Sequence, residues 1–107
     1  MFTDYLLGKL RAYLKEQISY AKYRVGEEYH RAEIGSAEIL TDGRVSVTMT
    51  FYPPGGAAAT VAEVQLYDAA GKLLARKNES IALQPGQDGF FYRFRLAVQE
   101  QEGENGI

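Results

Sequence analysis

The apolar residues in the first quarter of the chain recur at the spacing of an amphipathic helix. At 100° per residue, one arc of roughly 160° is formed by Leu6, Leu7, Leu10, Leu14, Gln17, Ile18, Ala21 and Val25, with Phe2, Tyr13 and Tyr20 along its margin. Thr3 suits the N-cap position, and Gly26 suits the position just past the C-terminal end. The pattern predicts one long helix over about residues 4–25, with its leucine-rich side packed on a sheet.

After Gly26 the apolar period changes from 3.6 to 2, which is the spacing of half-buried strands. Five strands are predicted, at about 29–40, 44–52, 61–67, 72–83 and 90–98, with an irregularity near residues 78–79 in the fourth. The predicted fold class is α+β. It consists of one long N-terminal helix followed by a five-stranded, mainly antiparallel sheet in a sandwich-like arrangement.

The turn between the first two predicted strands selects their register. A three-residue loop at 41–43 places Ile39 opposite Val45, whereas a two-residue turn would place a glutamate opposite Val47. Because apolar side chains on one face must meet across the pair, the three-residue loop is favoured. Gly43 then takes the left-handed position, where a Cβ is unfavourable.

Length and composition indicate one globular domain. The chain has 107 residues, a formal net charge of −2, no cysteine and one histidine. Without cysteine, disulfides, thiolate metal sites and cysteine nucleophiles are excluded. We predict a single α+β domain over 1–99 and a frayed acidic tail over 100–107.

Two groups of residues were considered for catalysis or ligand binding. His30 lies near Glu27, Glu28 and Glu33 in sequence, but these residue types at a junction between elements are typical of a solvated surface. The Gly55-Gly56 pair lacks the lysine and hydroxyl residue of a phosphate-binding loop. The sequence therefore predicts no enzyme activity, with no catalytic residue, no cofactor and no metal site.

The distribution of charge and apolar residues bears on partners. The 12 basic and 14 acidic residues are interspersed, so no nucleic-acid partner is predicted. No run of about 20 apolar residues occurs, so no membrane partner is predicted.

Two groups of residues are candidates for contact with other proteins. The predicted helix has more apolar surface than one sheet contact would cover, which suggests a homo-oligomer. Phe91, Arg93 and Arg95 share the polar face of the last strand and form an aromatic and basic strip. The candidate interface residues are Phe2, Leu6, Tyr13, Tyr20, Phe91, Arg93 and Arg95.

Residues 62–75 carry a resemblance to a known family. A strand that ends in Leu66-Tyr67-Asp68 turns through Gly71 into a strand containing Leu73 or Leu74 and Ala75. This stretch resembles the hairpin of bacteriophage tail-fibre and tail-collar proteins, and the opening helix followed by strands is similar to small proteins encoded among prophage tail genes. As a turn, Asp68 can cap the backbone while Gly71 takes the left-handed position.

The resemblance implies a non-enzymatic structural or accessory component of a phage tail, tail-fibre or baseplate assembly. Its expected partners are further copies of the chain and other tail proteins. Its expected location is the bacterial cytoplasm on synthesis and the virion or tail after assembly. Two alternatives remain open at this stage: a small ligand- or carbohydrate-binding β-module, and an enzyme domain on a cone-shaped α+β scaffold.

Overall fold

A computed structural model of the chain describes residues 1–86 and 88–98. In chain order, the elements are α1 (Asp4–Gln17), β1 (Tyr20–Val25), β2 (Glu28–Ile39), β3 (Val45–Phe51), a 3-10 turn at Pro54–Gly56, β4 (Ala59–Tyr67), β5 (Leu73–Leu83) and β6 (Phe90–Leu96). The predicted α+β class is confirmed. The predicted acidic tail over 100–107 lies outside the described residues.

The predicted C-terminal end of the helix is wrong. Thr3 is the N-cap, as expected, and its side chain accepts a hydrogen bond from the Leu6 N–H at 3.1 Å. The helix ends at Gln17, however, and residues 20–25 form β1. Gly26 has a positive φ of 60°, but it lies in the turn between β1 and β2 and not at a helix end.

The predicted strand count and sandwich-like arrangement are also wrong. Six strands form one antiparallel sheet in the order β5-β4-β1-β2-β3-β6. The additional strand is β1, which pairs with β2 on one side and β4 on the other. The predicted irregularity in β5 is confirmed, because its register with β4 shifts between Val61 and Glu63, opposite residues 78–81.

The predicted register of the β2–β3 hairpin is confirmed. Ile39 lies opposite Val45, and Leu40 and Arg44 close the three-residue loop with a 2.8 Å backbone hydrogen bond. Gly43 has a φ of 90°, in the region that favours glycine.

The core lies on one face of the sheet, which curls around it. Its most deeply buried large side chains come from β3, β4 and β5, and they are Val45, Val47, Met49, Phe51, Val61, Val64, Leu66 and Leu83. Aromatic rings from three strands contact one another through Phe51, whose ring centre lies 4.6 Å from Tyr23 and 5.1 Å from Tyr92. The Tyr92 hydroxyl on β6 donates a hydrogen bond to Glu79 on β5. Because β5 and β6 are the two edge strands, this bond shows how far the sheet curls.

The helix covers only part of this core. Leu14 and Ile18 pack against it, as predicted for the leucine-rich side. Leu10 was predicted on the same side but is 36% exposed, and no residue of α1 is fully buried. Arg11 also faces inward, and its guanidinium donates to the Val98 carbonyl at 3.3 Å. The helix therefore presents one side to the sheet and leaves the other uncovered.

We expect Gly43→Ala to destabilise the fold by about 1–2 kcal/mol, because an L-residue is strained at this φ. A Cβ at Gly43 would also lie 2.7 Å from the Arg11 guanidinium carbon and displace that group. Gly71→Ala is the matched control, since Gly71 has a similar φ of 81° but its added Cβ would lie 3.6 Å from the nearest atom, the Tyr20 hydroxyl. Urea unfolding measures both. Equal losses in the two variants would contradict a role for the Arg11 contact.

Candidate interaction surfaces

The helix carries an uncovered apolar stripe. Leu6, Leu10 and Tyr13 lie within about 60° of one another around the axis, next to the side that carries Leu14. The exposed large apolar side chains of the N-terminal segment are Phe2, Tyr5, Leu6, Leu10 and Tyr13. We call this group the outward arc. Tyr5 is 74% and Tyr13 63% exposed. Two of the seven predicted interface residues, Leu6 and Tyr13, therefore share one side of α1, and a third, Phe2, lies just before the helix.

Tyr20, a fourth predicted interface residue, is not on the helix. It lies on β1 and stacks on Tyr67 of β4, with ring centres 5.2 Å apart and planes within 4° of parallel. The Arg31 guanidinium of β2 lies 4.1 Å from the centre of the Tyr20 ring. Because β4 and β2 flank β1 on opposite sides, the ring is covered from both sides. Tyr20 therefore belongs to a cross-strand stack on the outer face of the sheet.

A buried carboxylate lies on the same outer face. Glu63 is only 7% exposed and accepts hydrogen bonds from Gln65 Nε2 at 2.9 Å, Arg24 Nε at 3.2 Å and the Tyr29 hydroxyl at 3.3 Å. The Gln65 bond is the main cause of a lowered pKa for Glu63; burial opposes it, and the bonds from Arg24 and Tyr29 lower the pKa further. Glu63 thus stays ionised and joins three strands.

The aromatic and basic strip of the last strand is placed as predicted. Phe91, Arg93 and Arg95 point outward from β6, while Tyr92 and Phe94 between them are buried. The Arg93 guanidinium lies 6.0 Å from the centre of the Phe91 ring, within the range of a cation–π contact. This strip is at the edge of the sheet, since β6 pairs only with β3.

His30 does not form a catalytic pair within the described residues. Its Nε2 lies 3.9 Å from Glu28 Oε1, which exceeds hydrogen-bond distance, and Glu33 is instead bonded to Arg31 at 2.6 Å. The His30 ring contacts Tyr23, with ring centres 5.4 Å apart. Nowhere in 1–86 or 88–98 do three or more His, Cys, Asp or Glu side chains gather as a metal-binding group. The same residues contain no helix with the length and apolar character needed to cross a bilayer.

A shallow groove lies on the outer face between β2 and β3. It has a volume of about 330 Å³ and is lined by Arg31, Ala32, Glu33, Ile34, Gly35, Thr50 and Tyr52. The register between the two strands shifts at Gly35, which opens the groove. Its two charged side chains, Arg31 and Glu33, are bonded to each other, so the groove offers no unpaired charge to a ligand.

The hairpin that carries the family resemblance has the predicted turn. Asp68 accepts hydrogen bonds from the N–H groups of Ala70 at 3.0 Å and Lys72 at 2.8 Å. Gly71 has a φ of 81°. Asp68 and Gly71 thus take the two roles assigned to them from the sequence.

Sequence reasoning did not identify the outer-face contacts of Tyr20 and Glu63. The alternation of Glu63, Gln65 and Tyr67 along β4 indicates a polar side of that strand. These residues lie opposite Arg24, Lys22 and Tyr20 of β1. The contacts were missed because residues 20–25 were assigned to the helix.

Comparisons of the chain with protein-family models, with curated proteins and with solved structures returned no match.

We expect Glu63→Gln to lower the free energy of unfolding by about 1 kcal/mol at pH 7, because the ionised acceptor is lost. A carboxyl group with a lowered folded pKa stabilises the fold above its ordinary value of 4.5 and loses that contribution as the pH falls below it. The difference between the two proteins should therefore shrink below pH 4.5. Urea unfolding at several pH values measures it, with Glu27→Gln in the exposed β1–β2 turn as control. A difference that does not change with pH would contradict this role.

Proposed function

We propose that this chain is a non-enzymatic structural or accessory subunit of a phage tail, tail-fibre or baseplate assembly, and that it associates with itself through the outward arc. The observation that carries the self-association is the uncovered apolar side of α1. Large exposed apolar patches on small proteins mark contact surfaces. The proposal of a tail assembly rests on the resemblance of residues 62–75.

The size of the outward arc supports a contact between copies. A fully exposed aromatic side chain offers about 200 Å², so the exposed fractions of the five side chains correspond to on the order of 500 Å² per copy. If all of this surface were covered, two copies would bury about 1,000 Å² in total, which is the threshold that a biological interface should clear. Further contacts around the arc would bring the interface to an ordinary size.

The chemistry of the arc also supports association. It combines leucine with aromatic side chains, and aromatic residues are enriched at the centres of interfaces. Lys9 lies 5.1 Å from the centre of the Tyr5 ring and falls between Tyr5 and Tyr13 around the axis, so one positive charge lies within the arc. Closed symmetric oligomers are the commonest result when one patch meets its own copy.

The geometry of the β4–β5 turn supports the tail resemblance. The Asp68 cap and the left-handed Gly71 are the features by which a strand ending in Leu-Tyr-Asp reverses into the next strand. Membership of a tail assembly would also explain why a chain with one histidine and no cysteine has a conspicuous contact surface.

We expect the unmodified protein to form an oligomer at about 100 µM, and Leu6→Glu/Tyr13→Glu to shift it toward monomer. Charges on the arc would have to be desolvated on association, whereas in the monomer they remain in water. Light scattering coupled to size-exclusion chromatography measures the mass, and far-UV circular dichroism checks the fold.

Gly8→Glu is the matched control for that experiment. It adds one negative charge to an exposed position of α1 outside the arc, and a Cβ there meets nothing within 4 Å. The control should keep the oligomer. A monomeric unmodified protein at this concentration would rule out self-association through the arc.

Membership of a tail assembly has its own test. We expect mass spectrometry of purified tail particles from the encoding bacterium to detect the chain at a fixed ratio to other tail proteins. The neighbouring genes should include tail, baseplate or lysis genes. Its absence from such particles, together with a metabolic gene neighbourhood, would refute the tail assignment whatever the oligomeric state.

A further inference from the structure

The free edge of β6 is a second surface, separate from the outward arc. β6 pairs with β3 along Phe90–Leu96, and no backbone hydrogen bond joins its other edge to a described strand. The bond from Tyr92 to Glu79 crosses on the core side, between side chains. The backbone donors and acceptors of this edge are thus open to an added strand.

Positive charge is concentrated on the edge strands. β5 and β6 together carry four cations, Arg76, Lys77, Arg93 and Arg95, and one anion, Glu79, although the whole chain has a net charge of −2. On β5, Lys77 lies 3.5 Å from Glu79. On β6, neither arginine forms an ion pair with any residue in the described part of the chain.

The strand beside β6 does not neutralise these arginines. Across the β3–β6 ladder, Arg93 lies opposite Thr48, and Arg95 lies opposite Ser46. A pair with a glutamate on the next strand is the usual way to satisfy such a cation, and β3 offers hydroxyl groups instead. Ser46 is fully buried, and its Oγ has no hydrogen-bond partner within the described residues. Thr48, by contrast, is hydrogen-bonded to Ser36 on β2 at 2.7 Å. Within the described residues, the two arginines therefore lie on this surface without an anionic partner.

We propose that β6 binds an extended acidic segment of a partner protein by strand addition. The partner backbone pairs with the free edge of β6, and its alternate acidic side chains lie beside Arg93 and Arg95. Because side chains alternate across a sheet, the residues between the acidic ones lie on the core side, next to Tyr92 and Phe94, and are apolar. The expected partner sequence thus alternates acidic and apolar residues over about six to eight positions.

Protection of the edge against aggregation is the competing explanation for the two arginines. Charged side chains on an edge strand commonly prevent unwanted pairing. Phe91 argues against protection as the main role of the arginines. Its large apolar ring is 63% exposed on the same strand, and an exposed apolar ring favours association with other molecules. An aromatic ring beside two arginines is instead the composition of a binding surface.

The test uses a fluorescein-labelled octapeptide, Glu-Val-Glu-Val-Glu-Val-Glu-Val, and fluorescence anisotropy. We expect saturable binding that weakens with salt, and a loss of about tenfold or more in affinity for Arg93→Gln/Arg95→Gln. Arg76→Gln is the matched control, since it removes an exposed arginine from the other edge strand. Circular dichroism confirms that the variants fold, and the Leu6→Glu/Tyr13→Glu variant shows whether binding is independent of self-association.

Two further probes separate strand addition from other binding. Two peptides, one N-methylated at the glutamates and one at the residues between them, each block one edge of the added strand, so one of the two should bind at least about tenfold more weakly; equal binding of both and of the unmodified peptide would overturn strand addition. Binding of a single-stranded oligouridylate but not of the peptide, with the same loss in Arg93→Gln/Arg95→Gln, would assign the strip to nucleic acid and overturn the proposal. Binding of neither probe would leave the arginines as edge protection and would also overturn it.

Discussion

The fold depends on how one sheet buries an apolar face with only one short helix to cover it. A half-apolar sheet normally packs against a second sheet or a layer of helices. Here α1 has 14 residues and none of them is fully buried, so it covers only part of the core. The sheet instead curls around its own apolar face, and the contact between Glu79 and Tyr92 links its two edge strands. Phe51 lies among aromatic rings from three strands because of this curl.

The curl places constraints on the outer face. Polar side chains on this face must form hydrogen bonds and ring contacts with one another, since no second layer of described elements covers them. Glu63 does so by joining Gln65, Arg24 and Tyr29, and Tyr20 does so by stacking between Tyr67 and Arg31. These contacts connect β4, β1 and β2 at the centre of the sheet. The polar groups at the centre of the outer face are thus bonded to one another, whereas the arginines of β6 form no ion pair with the described residues.

The surfaces offered to other molecules follow from the same arrangement. The C-terminal end of α1 packs on the core through Leu14, followed by Ile18, whereas Leu6, Leu10 and Tyr13 on the adjacent side stay exposed. Among the described strands, the sheet does not close with a backbone ladder, so none of them pairs with the outer edge of β6. The outward arc is apolar and the β6 edge is basic. The two surfaces therefore differ in chemistry, and we propose a second copy of the chain as the partner of the first and an acidic segment as the partner of the second.

The sequence alone determined those features that depend on neighbours along the chain. The Thr3 cap, the left-handed Gly43, the register of the β2–β3 hairpin and the outward side of β6 were all predictable. Local periodicity and turn chemistry control each of them.

Tertiary structure decided the state of residues 20–25. Ala21 and Val25 are four positions apart, and residues at that spacing share a face in a helix and also in a strand, so the apolar pattern is compatible with both. The strand forms because β2 and β4 offer hydrogen-bonding partners on its two sides. Those partners lie at other places in the chain, as do the core residues against which α1 packs. No local pattern contains that information, because pairing and burial are interactions between distant segments.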